Sequence, residues 1–343
     1  MDAFLLVSYG APEQKDEVVP FLENLFAGSS VGSSVGNNVG HNAPAERIKA
    51  AAGKYYDFSR QTGRFSPLNN ECRSLIAGIL RELTGTPGQK VPAIYWGNLF
   101  WHPRLEDTLD EMTRNGIRKA VCFVTSAFGS QASRERYVEA IESARSKVGP
   151  EAPTIEMLPL PFDHPLFLEA QADRLLEALA WTSLDAFATQ PMKSPTKSPE
   201  RPENDAFVFF TAHSILRSDA NTSDYETQLT ETCRLVAELC GPLPWELAWQ
   251  SRGGGPSEDW LGPDIKDRIT QIASEGRYRS VVVSPIGFFC ENMETVRDLD
   301  LELGELCEKL KLGFARAQAV GASPKICRMI CEMISRSNQS SNP

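Results

Sequence analysis

No stretch of this 343-residue chain approaches the ~18 consecutive apolar residues that a bilayer crossing needs. No basic leader with a small-residue cleavage site accompanies the first apolar run, Ala3 to Val7, so neither a membrane span nor a secretory signal is expected. Paired cysteines are missing too: Cys72, Cys122, Cys233, Cys240, Cys290, Cys307, Cys327 and Cys331 are irregularly spaced, form no C-x-x-C, and sit mostly in apolar patterns. That usage fits a reducing cytoplasm. Basic clusters are also absent. The formal net charge is -10 with lysine and arginine dispersed, which excludes a nucleic-acid partner held by phosphate neutralisation and leaves a solvated acidic surface.

What the chain does contain is an alternation of short apolar strands and longer amphipathic stretches. Its length exceeds the roughly 150 residues expected of one domain. Strands are predicted at Ala3–Tyr9, Val91–Gly97, Lys119–Ala127 and Thr154–Leu160, with helices at Glu13–Phe26, Arg104–Asn115, Ser133–Val148 and His164–Trp181. The proline- and serine-rich stretch from Gln190 to Asn204 reads as a solvated connection. Beyond it a second round begins, with strands at Ala206–Ala212, Trp245–Gln250, Ser280–Pro285 and Phe314–Ala319 and helices near Tyr225–Cys240, Asp264–Glu275, Met293–Lys311 and Pro324–Ser335. The expectation is an α/β protein of two similar doubly wound lobes with parallel four-stranded sheets, divided as 1–189, a connection 190–205, and 206–343. Both halves open alike, on Asp-Ala-Phe. The Gly/Ser-rich loop 28–42 lacks the spacing of a phosphate cradle and reads as a loop, with a lid as one hypothesis.

In such sheets ligands bind beyond the carboxyl ends of strands. Four segments there carry candidate chemistry. Thr211-Ala212-His213-Ser214 delivers an imidazole that can take a proton or a metal, or can serve only as a structural hydrogen-bonding group. After Val283-Ser284-Pro285-Ile286-Gly287-Phe288, Glu294, Asp298 and Glu302 recur every fourth residue on one helix face. Such a row could suit a divalent cation in passage, but on an arbitrary helix it is more often a solvated acidic face, here helped by Arg297. The loop Trp249-Gln250-Ser251-Arg252 through Trp260-Leu261-Gly262-Pro263-Asp264 could wrap a flat apolar ligand or be an ordinary surface loop. Tyr9, in Ser8-Tyr9-Gly10-Ala11-Pro12, could set its phenol oxygen over a metal centre or simply sit in a turn; Phe65-Ser66-Pro67-Leu68 accompanies it.

Together these segments, with Tyr95-Trp96-Gly97-Asn98, resemble the ferrochelatase family in order along nearly the whole chain. The resemblance implies Rossmann-like lobes of the class II chelatase kind, and insertion of ferrous iron into a porphyrin with release of two protons in haem biosynthesis. It implies His213 and Glu294 as catalytic and metal-contacting residues, with Asp298 and Glu302 leading metal inward along a widened helix. The Tyr-Gly-x-Pro turn is similar to the bacterial branch acting on coproporphyrin III rather than protoporphyrin IX. In that branch the Tyr9 oxygen would approach iron, and Tyr9, Lys54, Tyr55, Ser66, Arg136 and Trp249 would bind porphyrin, with Phe288 as a further apolar wall. Porphyrin and iron are then the partners, with transient contacts to neighbouring haem-pathway enzymes, and no organic cofactor is implied.

Three departures stand out. Ala27-Gly28-Ser29-Ser30 replaces an arginine-rich stretch, and Glu291-Asn292 replaces the family's Asp-His, removing a titratable ring. Cys327 and Cys331, one helical turn apart in an apolar pattern, read as packing thiols, so no [2Fe-2S] cluster is expected. The rival readings are a haem-binding or haem-delivery protein without turnover, kept open by Asn292, and a chelatase for another metal or tetrapyrrole.

Overall fold

A computed structural model describes residues 1–28, 45–85, 91–129, 134–188, 205–221, 223–252 and 258–340. Most of the 28–42 loop and the 190–204 connection lie outside these residues.

The chain divides into two compact units, one formed by Met1–Leu160 with Gly321–Pro343, the other by Pro161–Val320. The expected boundary in the proline-rich stretch is therefore corrected. The helix Pro165–Ala188 packs on strands and a helix of the second unit, and the last helix returns to the first.

In the first unit, β1 (Ala3–Ser8), β2 (Ala93–Asn98), β3 (Lys119–Val124) and β4 (Thr154–Met157) form a parallel sheet in the order β2-β1-β3-β4. All of β1 is buried, as expected of a central strand covered on both faces. Ala3, Leu5 and Val7 meet Leu105, Leu109 and Met112 of one helix (Leu105–Arg114) and Tyr137, Ile141 and Ala144 of another (Arg136–Val148). The opposite face is covered by the helices Leu68–Gly85 and Pro324–Ser340. Two helices of this unit, Ala45–Thr62 and Leu68–Gly85, were not anticipated.

In the second unit, β5 (Ala206–His213), β6 (Trp245–Gln250), β7 (Ser280–Ser284) and β8 (Gly313–Arg316) repeat the plan in the order β6-β5-β7-β8, again all parallel. One face packs Phe209, Val281 and Val283 against Ile265, Ile269 and Ile272 of a helix (Ile265–Glu275), together with Leu299, Leu303 and Cys307. The expected single helix over 293–311 is two segments, a π-helix Thr295–Glu302 running into an α-helix Leu303–Leu310.

A shared local device fixes how the units correspond. The Asn98 N–H donates to the Pro103 carbonyl at 2.7 Å, and Asn98 pairs with Ser8. The Trp249 N–H donates to the Pro263 carbonyl at 2.9 Å, and Trp249 pairs with Ala212. Ser8 thus matches Ala212, and Tyr9 matches His213, each at the carboxyl edge of its sheet's first strand.

Candidate active site

His213 closes β5, a strand whose burial leaves its carboxyl edge as the place where a polar side chain can emerge. Its neighbours hold it firmly. Ser214 N–H donates to Gln250 O at 2.8 Å, Ser214 Oγ donates to Leu261 O at 2.8 Å, and Tyr225 hydroxyl donates to His213 O at 3.1 Å. The ring nitrogen Nδ1 lies 2.6 Å from Ser214 O. A carbonyl can only accept, so Nδ1 carries a hydrogen and Nε2 is the free position of the neutral ring. Nε2 sits 3.7 Å from Glu294 Oε2, with both side chains 40 % exposed and so open to a ligand. At that separation the two form an ion pair once the ring is protonated, not a fixed hydrogen bond.

Glu294 reaches that position through a tight turn after β7. A Cβ on Gly287 would lie 2.4 Å from Ala212 Cβ and 2.7 Å from its Cα, so only glycine lets this turn lie against the end of β5. Gly287 N–H donates to Thr211 O at 3.1 Å across the contact. Asn292 then caps the π-helix, its Oδ1 accepting from the N–H groups of Glu294 at 2.8 Å and Thr295 at 3.0 Å. The residue that replaces a histidine here thus satisfies backbone donors.

Glu291 is the second anchor. It accepts from Thr295 hydroxyl at 2.6 Å, Ala319 N–H at 2.8 Å and Arg316 Nη1 at 2.6 Å, while Arg316 Nη2 donates to Asp300 at 2.8 Å. Burial opposes the Arg316 charge, but the hydrogen bond to Asp300 and the charges of Glu291 and Asp300 outweigh it and raise its pKa. Arg316 and Asp300 were not singled out in the sequence. The available signal was a lone arginine in a short, otherwise uncharged strand, which needs a partner when buried.

Along the π-helix, both outer carboxylates are already engaged. Asp298 Oδ1 accepts from Arg297 Nη1 at 2.7 Å, and its Oδ2 from Ser251 Oγ, a residue at φ 57°. Glu302 Oε1 pairs with Arg297 Nη2 and Oε2 with Lys266 Nζ. The Asp298 side chain is only 12 % exposed. Burial raises its pKa; the Ser251 hydrogen bond opposes that, Glu294 and Glu302 add to it, and Arg297 lowers it. Among the described residues no three histidine, cysteine, aspartate or glutamate side chains converge as a metal cage. The row is a series of separate acceptors.

The remaining expected residues separate by burial. Trp249 is corrected: it is 2 % exposed, tilted on Tyr225 at a centroid distance of 5.9 Å, and it braces the strand end instead of offering a face to a ligand. Phe288 is buried as well. The described part of the tryptophan-rich loop is a brace too, since Leu261 is fully buried and receives the Ser214 bond; residues 253–257 lie outside the described ones. In the first unit Tyr9 is half-buried, its ring 5.3 Å from Phe100 and 5.6 Å from Tyr137. Beside Tyr137, Arg136 begins its helix, and its Nε–H is buried without a hydrogen-bond partner among the described residues. Tyr55 is buried against Phe21, Lys54 on the same helix is exposed, and Ser66 is buried with its oxygen accepting from Leu68 N–H at 3.3 Å.

An α/β sheet ending in a histidine and faced by a carboxylate-bearing π-helix is a place to strip a cation of water and to move protons. Solved structures give the fold. The chain aligns with SirB from Bacillus subtilis with Fe3+ (TM-score 0.53, 14 % identity, 99 % of this chain and 98 % of that one). It also aligns with the sirohydrochlorin chelatase SirB from Bacillus subtilis subspecies spizizenii in complex with cobalt (TM-score 0.52, 10 % identity, 99 % and 97 %). Those likenesses show a chelatase fold. A family model described as ferrochelatase matches residues 1–338. A ferrochelatase of Rhodopirellula baltica is 39 % identical over 97 % of this chain and 85 % of its own length. A coproporphyrin III ferrochelatase of Mycolicibacterium smegmatis is 38 % identical over 97 % and 88 %. The chain belongs to the ferrochelatase family and is a metal chelatase that inserts iron into a porphyrin.

Proposed function

We propose that this ferrochelatase acts on coproporphyrin III, with His213 as the base and Glu294 as its carboxylate partner. The observation that carries the assignment is the 3.7 Å pair itself, with Nδ1 tied to Ser214 so that Nε2 faces the reaction. Insertion exchanges two pyrrole N–H protons for one ferrous ion. Nε2 takes a proton, and the Glu294 carboxylate stabilises the imidazolium that forms and relays the proton toward solvent. Asp298 and Glu302 supply oxygen ligands that replace water on the incoming iron one at a time.

Coproporphyrin III carries four propionates, one pair more than protoporphyrin IX, and so asks for more cationic and hydroxyl donors. The Arg136 Nε–H, without a partner among the described residues, and the exposed Lys54 suit carboxylates, and Ser66, whose oxygen already accepts, retains a hydroxyl hydrogen to give. Tyr9, matched in register to His213, is the first-unit residue proposed to approach the metal. Tyr55 remains a porphyrin neighbour only through its helix with Lys54. The relatives named coproporphyrin III ferrochelatase at 36–38 % identity support this substrate. The capping role of Asn292 removes the motive for a carrier without turnover.

The same reading places the protein in the cytoplasm, in transient contact with neighbouring haem-pathway enzymes and without a resident cofactor. No helix among the described residues is long and apolar enough to cross a membrane. Cys327 and Cys331 are buried thiols, pushed up to about 11 and about 12 chiefly by burial, which suits packing better than cluster ligation.

The test is anaerobic incubation with ferrous iron and either coproporphyrin III or protoporphyrin IX, followed by absorbance. Wild type should metalate coproporphyrin III faster, and His213→Ala should lose at least about a hundredfold in rate, the usual contribution of a positioned base. Equal metalation by the mutant would remove His213 from the chemistry, and preference for protoporphyrin IX would reverse the substrate.

A further inference from the structure

We propose that Arg297 and Lys266 act as a built-in counter-cation that occupies the outer end of the carboxylate row, so that a divalent metal enters only by exchanging with them. This rests on the reading of Asp298 and Glu302 as the metal's route.

Counting oxygens leads to it. Of the four carboxylate oxygens on Asp298 and Glu302, Arg297 takes one from each, Lys266 takes the second of Glu302, and the Ser251 hydroxyl takes the second of Asp298. The two negative charges meet two positive ones, leaving Glu294 as the row's acid without a lysine or arginine bound to it in the described residues. A bare acidic row would hold a divalent ion at its mouth. A row neutralised from within holds no standing cation, and admits one only when its carboxylates trade a guanidinium or ammonium for the metal.

The π-helix makes this arrangement possible. Arg297 and Glu302 are five residues apart, and in an α-helix side-chain partners lie three or four apart. The i→i+5 period of the π-helix brings residues five apart onto neighbouring turns. The fork of the guanidinium then spans both carboxylates, which a lysine ammonium at the same position could not do with fixed geometry. Lys266 comes from a different element, the first turn of the helix that starts at Ile265, so the cover is assembled from two segments and opens without unfolding either.

The ion pairs and the metal compete for the same oxygens, so removing a pair must tighten metal binding by the coupling between them. The experiment compares wild type with Arg297→Gln, Lys266→Gln and Glu302→Gln. Two quantities are read: the dissociation constant for Mn2+ alone, from loss of the free-ion electron paramagnetic resonance signal without porphyrin, and the KM for ferrous iron in turnover. Arg297→Gln should lower both by about fivefold or more, the low end of typical coupling, and Lys266→Gln should lower them less, with the porphyrin KM unchanged in each. Glu302→Gln should raise both. If Glu302→Gln raises both while the two cation variants leave them at wild-type values, the counter-cation is refuted and the metal route stands. If Glu302→Gln also changes nothing, the route itself is wrong and the counter-cation falls with it. Lys266→Gln alters an exposed side chain and keeps the test intact should Arg297→Gln fail to fold.

Discussion

Asp298 holds two hydrogen bonds that favour its charged form, yet burial outweighs them and raises its pKa. A carboxyl with a raised folded pKa binds its proton more tightly in the folded protein. Its contribution to stability is therefore fully present below the ordinary carboxylate pKa and is lost as pH rises through the folded value. Asp298→Asn, an uncharged isostere, should raise the melting temperature at pH 7.5, and that gain should shrink to nothing as the pH falls below the usual aspartate range. Thermal unfolding at the two pH values checks it; a mutant less stable than wild type at pH 7.5 would mean that the Ser251 and Arg297 bonds outweigh burial. If Asp298 serves iron as proposed above, metal turnover should fall in the same mutant, since the charge that costs stability is then the one the reaction uses. His213 stood out in the sequence because it ends an apolar strand, but on local pattern alone it could equally be structural, and Glu294, Asp298 and Glu302 read as a solvated acidic face until the family resemblance gave the row a context. Ser251 and Lys266 were not legible, since a left-handed serine and a pair between two distant segments leave no trace in local spacing. Nor was the burial of Trp249, which depends on the Tyr225 helix lying against it.

At the scale of elements, the turn between β7 and the π-helix controls where Glu294 stands. Gly287→Ala should force the turn off Ala212 and cost about 1–3 kcal/mol, the usual penalty for overpacking. Its signature is a loss of kcat larger than any change in porphyrin KM, because Glu294 moves from His213; unchanged urea denaturation and unchanged kcat would show that the turn can shift freely. The strands were readable because central parallel strands are apolar on both faces, and β6 and the helix Tyr225–Cys240 fall at their expected bounds. The helix Leu68–Gly85 was also readable in principle, from Cys72, Leu75, Ile79 and Leu83 at helical spacing. The helix Ala45–Thr62 was harder. Only Ala52, Tyr55 and Phe58 of it are buried, and its alanine run has no apolar period. The π-helix could be known only by resemblance, since propensity does not distinguish it from an α-helix.

For the whole molecule, the alternation of strands and helices announced two similar α/β units, but not that the chain ends where it began. The helix Pro324–Ser340 buries Ile326, Met329, Ile330 and Ile334 in the first unit. Sequence order alone put them in the second, because a connection that crosses back leaves no compositional mark. A chain ending at Val320 should expose the apolar face of the Leu68–Gly85 helix, bind a hydrophobic dye and melt well below the full protein. A shortened chain with the full melting temperature would show that this helix is dispensable. The return also sets an order in time. The residues that begin the first unit leave the ribosome first, but the face of its core that the Leu68–Gly85 helix shares with the helix Pro324–Ser340 is completed only after all of the second unit has been made. The half of the enzyme that is synthesised first is the half that must wait.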